Sequence, residues 1–439
     1  MRATAVIALV FALACQPQPS VVRVGDLTVH LHLPADQAPL EGLVSLVLRV
    51  LDENGHPLAE HHYAPDDSID FEVRPVGGVV EVVLEGFRDR STLVARGSTG
   101  PVAADGRHAA GLFFGQRQSF GALAATALPA PVEHAAVSLA AGGVLFAGGQ
   151  QGGSTLDRVW RYDPVTAQFA DVGTLAVART RIAAARLGDG RVLLVGGFDA
   201  SGAPVAAIDV YEPDVDRVRA VSSTINAVGG ACAAALSDGR VAVANGITGT
   251  GASDDLLIFD GSLGPPEPQS LSGPGRNRHA CATLGDALFE IGGGGATSGT
   301  AAHFTAAGGS GLFSLPYGVV DATAFVDGSE LAVVCGSERT AEAIAISAGG
   351  AAQISNRWRL DLARSGCTAT PLRDGTLLVV GGRLANVAVA QAELAHADGD
   401  AAALSAPIEA RSHHSATRLP GGEVLVVGGD GLPPRLYVP

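Results

Sequence analysis

Seven times in succession the chain runs through a short apolar segment that ends in a pair of small residues. The segments are VLFAGG at 144–149, VLLVGG at 192–197, VAVANG at 241–246, LFEIGG at 288–293, LAVVCG at 331–336, LLVVGG at 377–382 and VLVVGG at 424–429. The second member of the pair advances by 48, 49, 47, 43, 46 and 47 residues. A period of that length belongs to architectures in which one unit cannot bury its own apolar face and its neighbours supply the cover. The 439 residues are 47% hydrophobic, which is ample for a large core, and carry 58 glycines for tight turns.

Each unit has further internal order. An apolar strand precedes the glycine segment, as in AAARL at 183–187, CAAAL at 232–236 and SATRL at 415–419. Between the two strands stand Asp189-Gly190, Asp238-Gly239, Asp327-Gly328, Asp374-Gly375 and Gly421-Gly422, which predict two-residue hairpin turns with positive φ. Near-continuous apolar character implies strands covered on both faces. A third strand follows, as in VWRYDP at 159–164, IDVYEP at 208–213 and RLYVP at 435–439, and then a fourth, as in QFADV at 168–172. Four antiparallel strands per repeat make a propeller blade. The last unit stops in its third strand, while SFGAL at 119–123, just ahead of the first unit, resembles a fourth strand. That segment is expected to complete the last blade beside Tyr437 and remove an exposed edge. Crowding toward the axis explains the glycine pairs, and only the modest bulk of Asn245 or Cys335 replaces a first glycine.

The glycine pair, the Tyr162-Asp163-Pro164 and Tyr211-Glu212-Pro213 turns and the arginine- and histidine-rich entry to each first strand resemble kelch repeats over residues 118–439. The resemblance implies a seven-bladed kelch-type β-propeller of the galactose-oxidase-like superfamily. One departure is that the fourth-strand tryptophan of kelch blades is replaced by Phe169, Val218 or Leu404. Copper enzymes of that superfamily use a crosslinked tyrosine, a second tyrosine and two histidines. Here Tyr162, Tyr211 and Tyr437 belong to the third-strand motif, Tyr63 and Tyr317 are the other two, and no Tyr-His neighbour pair occurs in the repeats. The copper site therefore cannot be carried over, and no cofactor is expected. A second enzymatic model in the resemblance is a sialic-acid-mutarotase-like exported propeller, which needs an arginine cluster and a carboxylate.

Two segments precede the repeats. Met1 and Arg2 start a run that is apolar from Ala5 to Ala14 and meets Cys15. This layout is a secretory signal, and Ala12 to Cys15 resembles the bacterial lipobox with its Leu and small residue exchanged. Residues 1–15 are read as a lipoprotein signal with Cys15 lipidated, or as an ordinary signal peptide with an incidental cysteine; 16–20 is a polar tether. The expected product is an exported, membrane-anchored lipoprotein of the outer membrane or periplasm, held by lipid alone. Residues 21–117 lack the period but hold strand-like runs at 27–33, 43–50, 69–73, 79–84 and 112–114, with a turn at 52–55. They suggest a small immunoglobulin-like or transthyretin-like β-sandwich. The fold class is thus all-β.

The chain has 44 acidic and 29 basic residues, and every basic one is arginine, giving a net charge of −15. With no basic block it is not a nucleic-acid binder. Cys232, Cys281, Cys335 and Cys367 pair most naturally as 232–281 and 335–367, or remain four buried thiols. Arg179, Arg364 and Arg411 recur four residues before aligned first strands, with Arg181, Arg276, Arg278 and His413 nearby. They would ring a channel mouth and hold a carboxylate or sugar acid. In the alternative they bond loop carbonyls and carboxylates between blades. No His, Cys or Asp spacing matches a metal site, and Asp398-Gly399-Asp400 reads as a turn. The functional expectation is a monomeric, non-catalytic binding scaffold for a protein or glycan. The alternative is an exported carbohydrate-active enzyme using the arginine-lined mouth.

Overall fold

A computed structural model describes residues 20–24, 27–65, 67, 78–105, 107–124, 130–222, 225–270, 273–305, 309–404, 408–429 and 431–439. Cys15, the signal segment and the strand expected at 69–73 lie outside the described residues. The regular secondary structure of the described chain is almost entirely β, with two single-turn 3-10 helices at Pro213–Val215 and Gly295–Thr297.

The repeats form seven four-stranded antiparallel sheets. In the second unit the strands are Ala183–Arg186, Val192–Val195, Ile208–Glu212 and Arg217–Val221, each paired with the next. Second strands such as VLLV at 192–195 and LLVV at 377–380 are buried at every position, because a neighbouring sheet covers each face. First strands of consecutive units touch in turn, and Ser415–Arg418 of the seventh touches Ala135–Ser138 of the first. The sheets therefore close a ring whose axis the first strands line. Ser119–Ala122 supplies the outer strand of the seventh sheet, with Phe120 opposite Tyr437 and their rings 5.2 Å apart.

The turn chemistry differs from the two-residue expectation in most units. Gly190 N–H donates to Leu187 O and Leu187 N–H to Arg191 O, so the loop holds three residues. Gly190 has φ 92°, whereas Asp189 is not in the left-handed region. A type I turn closed by a left-handed glycine satisfies those bonds, and Asp189 Oδ1 accepts the Arg191 N–H. The two-residue form occurs where Asp327 pairs with Glu330 and Leu284 with Ala287.

The glycine pairs mark where neighbouring units meet. Gly149, Gly197, Gly246, Gly293 and Gly382 each donate N–H to a carbonyl of the following unit, on Arg179, Val228, Arg276, Val319 and Arg411 respectively. A Cβ at Gly428 would stand 2.0 Å from Pro131 O, with φ already +81°. Gly428→Ala is expected to cost about 1–3 kcal/mol from the forced backbone alone. A melting temperature equal to that of the wild type would contradict this account of the pair.

Ahead of the ring lie two more sheets. One contains Ser20–Val24, Leu27–His32 and Ala109–Phe113, the last two strands parallel. The other is six-stranded and is centred on Ser45–Asp52 and Val79–Phe87. Leu27, Val29, Leu48, Val50, Val82, Leu84 and Phe114 form one shared core between them. This unit packs directly on the ring: a Cβ at Gly111 would lie 1.8 Å from Pro164 O, His32 Nε2 bonds Val165 O, and Arg373 pairs with Glu81 at 2.6 Å.

A fourth-strand tryptophan is present after all. Trp358 lies in Ala352–Arg359 of the fifth unit, buried, with its indole N–H on Asp327 Oδ2 at 2.7 Å.

Candidate functional site

One residue just before each first strand adopts a left-handed backbone: Glu133, Arg181, Gly230, Arg278, Asp321, Gly366 and His413, with φ between 50° and 64°. Backbone bonds link these positions in two runs, His413–Glu133–Arg181 and Arg278–Asp321–Gly366. Glu133 N–H donates to His413 O and Arg181 N–H to Glu133 O, while Asp321 N–H donates to Arg278 O and Gly366 N–H to Asp321 O. Five of the seven carry side chains and hold a conformation that costs an L-residue of order 1 kcal/mol or more. Neighbouring backbones impose that strain, and it aims charged groups at one end of the axis.

Arg181 binds Glu133 at 2.5 Å, and Arg278 binds Asp321 through Nε at 3.0 Å. All four are partly exposed, from 22% for Asp321 to 46% for Arg278. Burial lowers the His413 pKa, as do Arg383 and Arg181, against the opposite pull of Glu133 and Asp321. The two ion pairs make the mouth zwitterionic, and Ser412 Oγ lies 3.4 Å from His413 Nδ1. At the same end lie three small hairpins between second and third strands: 150–155, 247–252 and 383–388. Isolated bridges such as Val132 to Gln150 and Ser365 to Arg383 tie them to the ring.

The structure corrects the arginine ring expected from spacing. Arg179, Arg276, Arg364 and Arg411 are essentially fully buried and point into the sheets. Arg179 pairs with Asp209 at 2.7 Å, and Arg364 pairs with Glu393 at 2.8 Å. Arg411 reaches Glu409 at 2.8 Å and Gly428 O at 3.1 Å. Arg276 donates to Gly292 O at 2.7 Å and Thr300 O at 2.9 Å. Each extends along its own sheet and offers its guanidinium to strand ends rather than to the axis. Of the residues expected at the mouth, Arg181, Arg278 and His413 reach it. Glu133 and Asp321 were missed, although both precede the second residue of a glycine pair by the same interval as their arginine neighbours.

The position after each left-handed residue also has a pattern. His134 Nε2 meets Ser415 Oγ of the preceding unit at 2.8 Å, and His414 Nε2 meets Thr368 Oγ1 at 3.0 Å. Burial pushes their pKa values down to about 4 and about 3. His279 stands at the equivalent place, but faces Cys232. Cys232 is bonded to Cys281, and Cys335 to Cys367, so two disulfides staple adjacent units. Beside His279 lies Glu290, with its side chain 3% exposed and a carboxyl pKa raised to about 7 by burial. A donor atom of each of Cys232, His279 and Glu290 falls within 4.8 Å of the others. Linear spacing hid this group because it draws on two strands and one strand-entry residue from two units.

Tyr162, Tyr211 and Tyr437 are buried, and Tyr317 donates to Glu342 O. Gly399 has φ 93°, and His396 N–H bonds Asp400 O across a tight turn.

No family model matches the sequence, and no curated protein matches it. Among solved structures, a fungal alcohol oxidase of the AA5 family in complex with copper has a TM-score of 0.57 at 14% identity, covering 72% of this chain and 75% of that chain. At that identity the likeness is one of fold alone, and it places the chain among propeller-like all-β proteins. YjhT has a TM-score of 0.47 at 16% identity, covering 63% of this chain and 98% of that one.

Proposed function

We propose that residues 118–439 form a seven-bladed kelch-type β-propeller, that 21–117 form a β-sandwich ahead of it, and that a lipid on Cys15 anchors the exported chain at the cell envelope. The propeller acts as a non-catalytic scaffold, monomeric, which presents the left-handed ring and its three hairpins to a protein or glycan. The observation that carries this reading is the internal pairing of Arg181 with Glu133 and Arg278 with Asp321 at the mouth. Paired side chains offer a patterned surface of donors and acceptors.

The enzymatic alternative has the fold likeness to an alcohol oxidase in its favour. Against it, Arg179, Arg364 and Arg411 give their guanidinium groups to buried or half-buried carboxylates, and the buried tyrosines stay with their strands.

The test is charge reversal at the mouth. Arg181→Glu with Arg278→Glu is expected to cut capture of envelope proteins or glycans by at least tenfold. The melting temperature should hold, because exposed pairs contribute only about 0–1 kcal/mol each. Undiminished capture would remove the mouth as the binding surface. Turnover of sugar acids that the double variant abolishes would select the enzyme instead.

A further inference from the structure

The group around Cys232 has more unmet bonding capacity than a structural core requires. Within the protein neither ring nitrogen of His279 has a hydrogen-bond partner, nor does Glu290 Oε2, nor Asn245 Oδ1. The His279 and Glu290 side chains are 0% and 3% exposed, with Nε2 3.8 Å from Oε1, too far for a hydrogen bond. Buried polar atoms are ordinarily satisfied, so several orphans converging on one point call for a ligand. His134 and His414 meet a hydroxyl from the preceding unit; His279 meets a sulfur already spent in a disulfide. Asn245 donates to Glu290 Oε1 and also borders a cavity of about 30 Å³ with Thr248, Ser253 and Asp255.

We propose that Cys232, Cys281, His279 and Glu290 form a redox-gated site for a thiophilic divalent cation of the zinc type. In the oxidised protein the site is closed, because a disulfide sulfur offers no thiolate. Exchange with a dithiol reductant opens it: the 232–281 bond takes two electrons and two protons to give two thiols, while the dithiol closes to its own disulfide. Cation binding then displaces both thiol protons. Two thiolates, one imidazole and one carboxylate complete a tetrahedral set. The negative charges of the thiolates and Glu290 balance the dication together with Arg276, whose guanidinium already acts on Glu290 and His279. The cation would replace the staple between units three and four, so the ring keeps a crosslink in either redox state.

The experiment uses Co²⁺ and Zn²⁺ on the full chain. Cys281→Ser frees the Cys232 thiol without any reductant and leaves the 335–367 bridge intact. This variant is expected to bind Co²⁺ with a sulfur-to-metal charge-transfer band that Zn²⁺ bleaches. Adding His279→Ala or Glu290→Ala should weaken binding by at least about tenfold, as loss of a ligand demands. Wild-type protein should show the band only after reduction, and Cys335→Ser with Cys367→Ser should retain that response. The proposal is overturned if soluble Cys281→Ser gives no band, or if the band survives both ligand deletions.

Discussion

Arg364→Ala is expected to lower the free energy of unfolding by about 3–5 kcal/mol, the usual penalty for stripping one partner from a buried ion pair. Glu393, 0% exposed, loses the guanidinium 2.8 Å away and keeps only the Asp361 N–H among its bonded partners. Burial already raises the Glu393 pKa against the opposing pull of Arg364. Without the arginine it rises further, so the folded state holds a proton that the unfolded chain releases above its ordinary carboxyl range. The stability of Arg364→Ala therefore falls as pH rises above the ordinary carboxyl range, and its deficit against wild type widens. Arg364→Met with Glu393→Gln should recover much of the loss, because both charges leave together. Denaturant unfolding at two pH values decides the matter. A deficit under about 1 kcal/mol would show that the pair is not holding the sixth sheet.

The second large effect belongs to closure. Phe120→Ala should cost about 3–5 kcal/mol, as large-to-small changes at buried aromatics do. Phe120 packs with Tyr437, Leu378, Val380 and Val426, where the seventh sheet meets the sixth. Its strand has only Arg435–Val438 as a partner in that sheet, so loosening it exposes an edge where a segment ahead of the repeats pairs with the last strand. Phe169→Ala, in the fourth strand of the first unit, provides the comparison, since its strand follows its partner directly in sequence. Phe120→Ala should accelerate proteolysis of 430–439, and Phe169→Ala should not. Equal cleavage of the two variants would mean that closure places no special load on the borrowed strand.

Much of the fold was legible because it is written in local intervals. Apolar runs such as VLVV at 424–427 are buried at all four positions, and the interval from first strand to glycine pair recurs from unit to unit. The partnership of Phe120 with Tyr437 could also be read, since only an unpaired third strand at one end and an unpaired fourth strand at the other lacked neighbours. The hairpin loops were misjudged by one residue. Asp-Gly fits both a two-residue turn and the end of a three-residue one, and the bonds of Leu187 and Gly190 select the second.

The site was legible only in part, and the arginines show why. Arg179 and Arg181 are two residues apart in one segment, yet the first is buried on Asp209 and the second reaches Glu133 of another unit. Composition and spacing treat them alike; the left-handed turn at Arg181 separates them, and packing between units imposes that turn. The same holds for His279, whose neighbour Cys232 is distant in sequence and whose neighbour Glu290 stands on another strand. The amino-acid order by itself determined the period, the strands and the closing partner, since each follows from short-range alternation and turn residues. Only the assembled ring decided which charges are buried, which face the axis and which sulfurs meet, because those outcomes depend on how one sheet lies against the next.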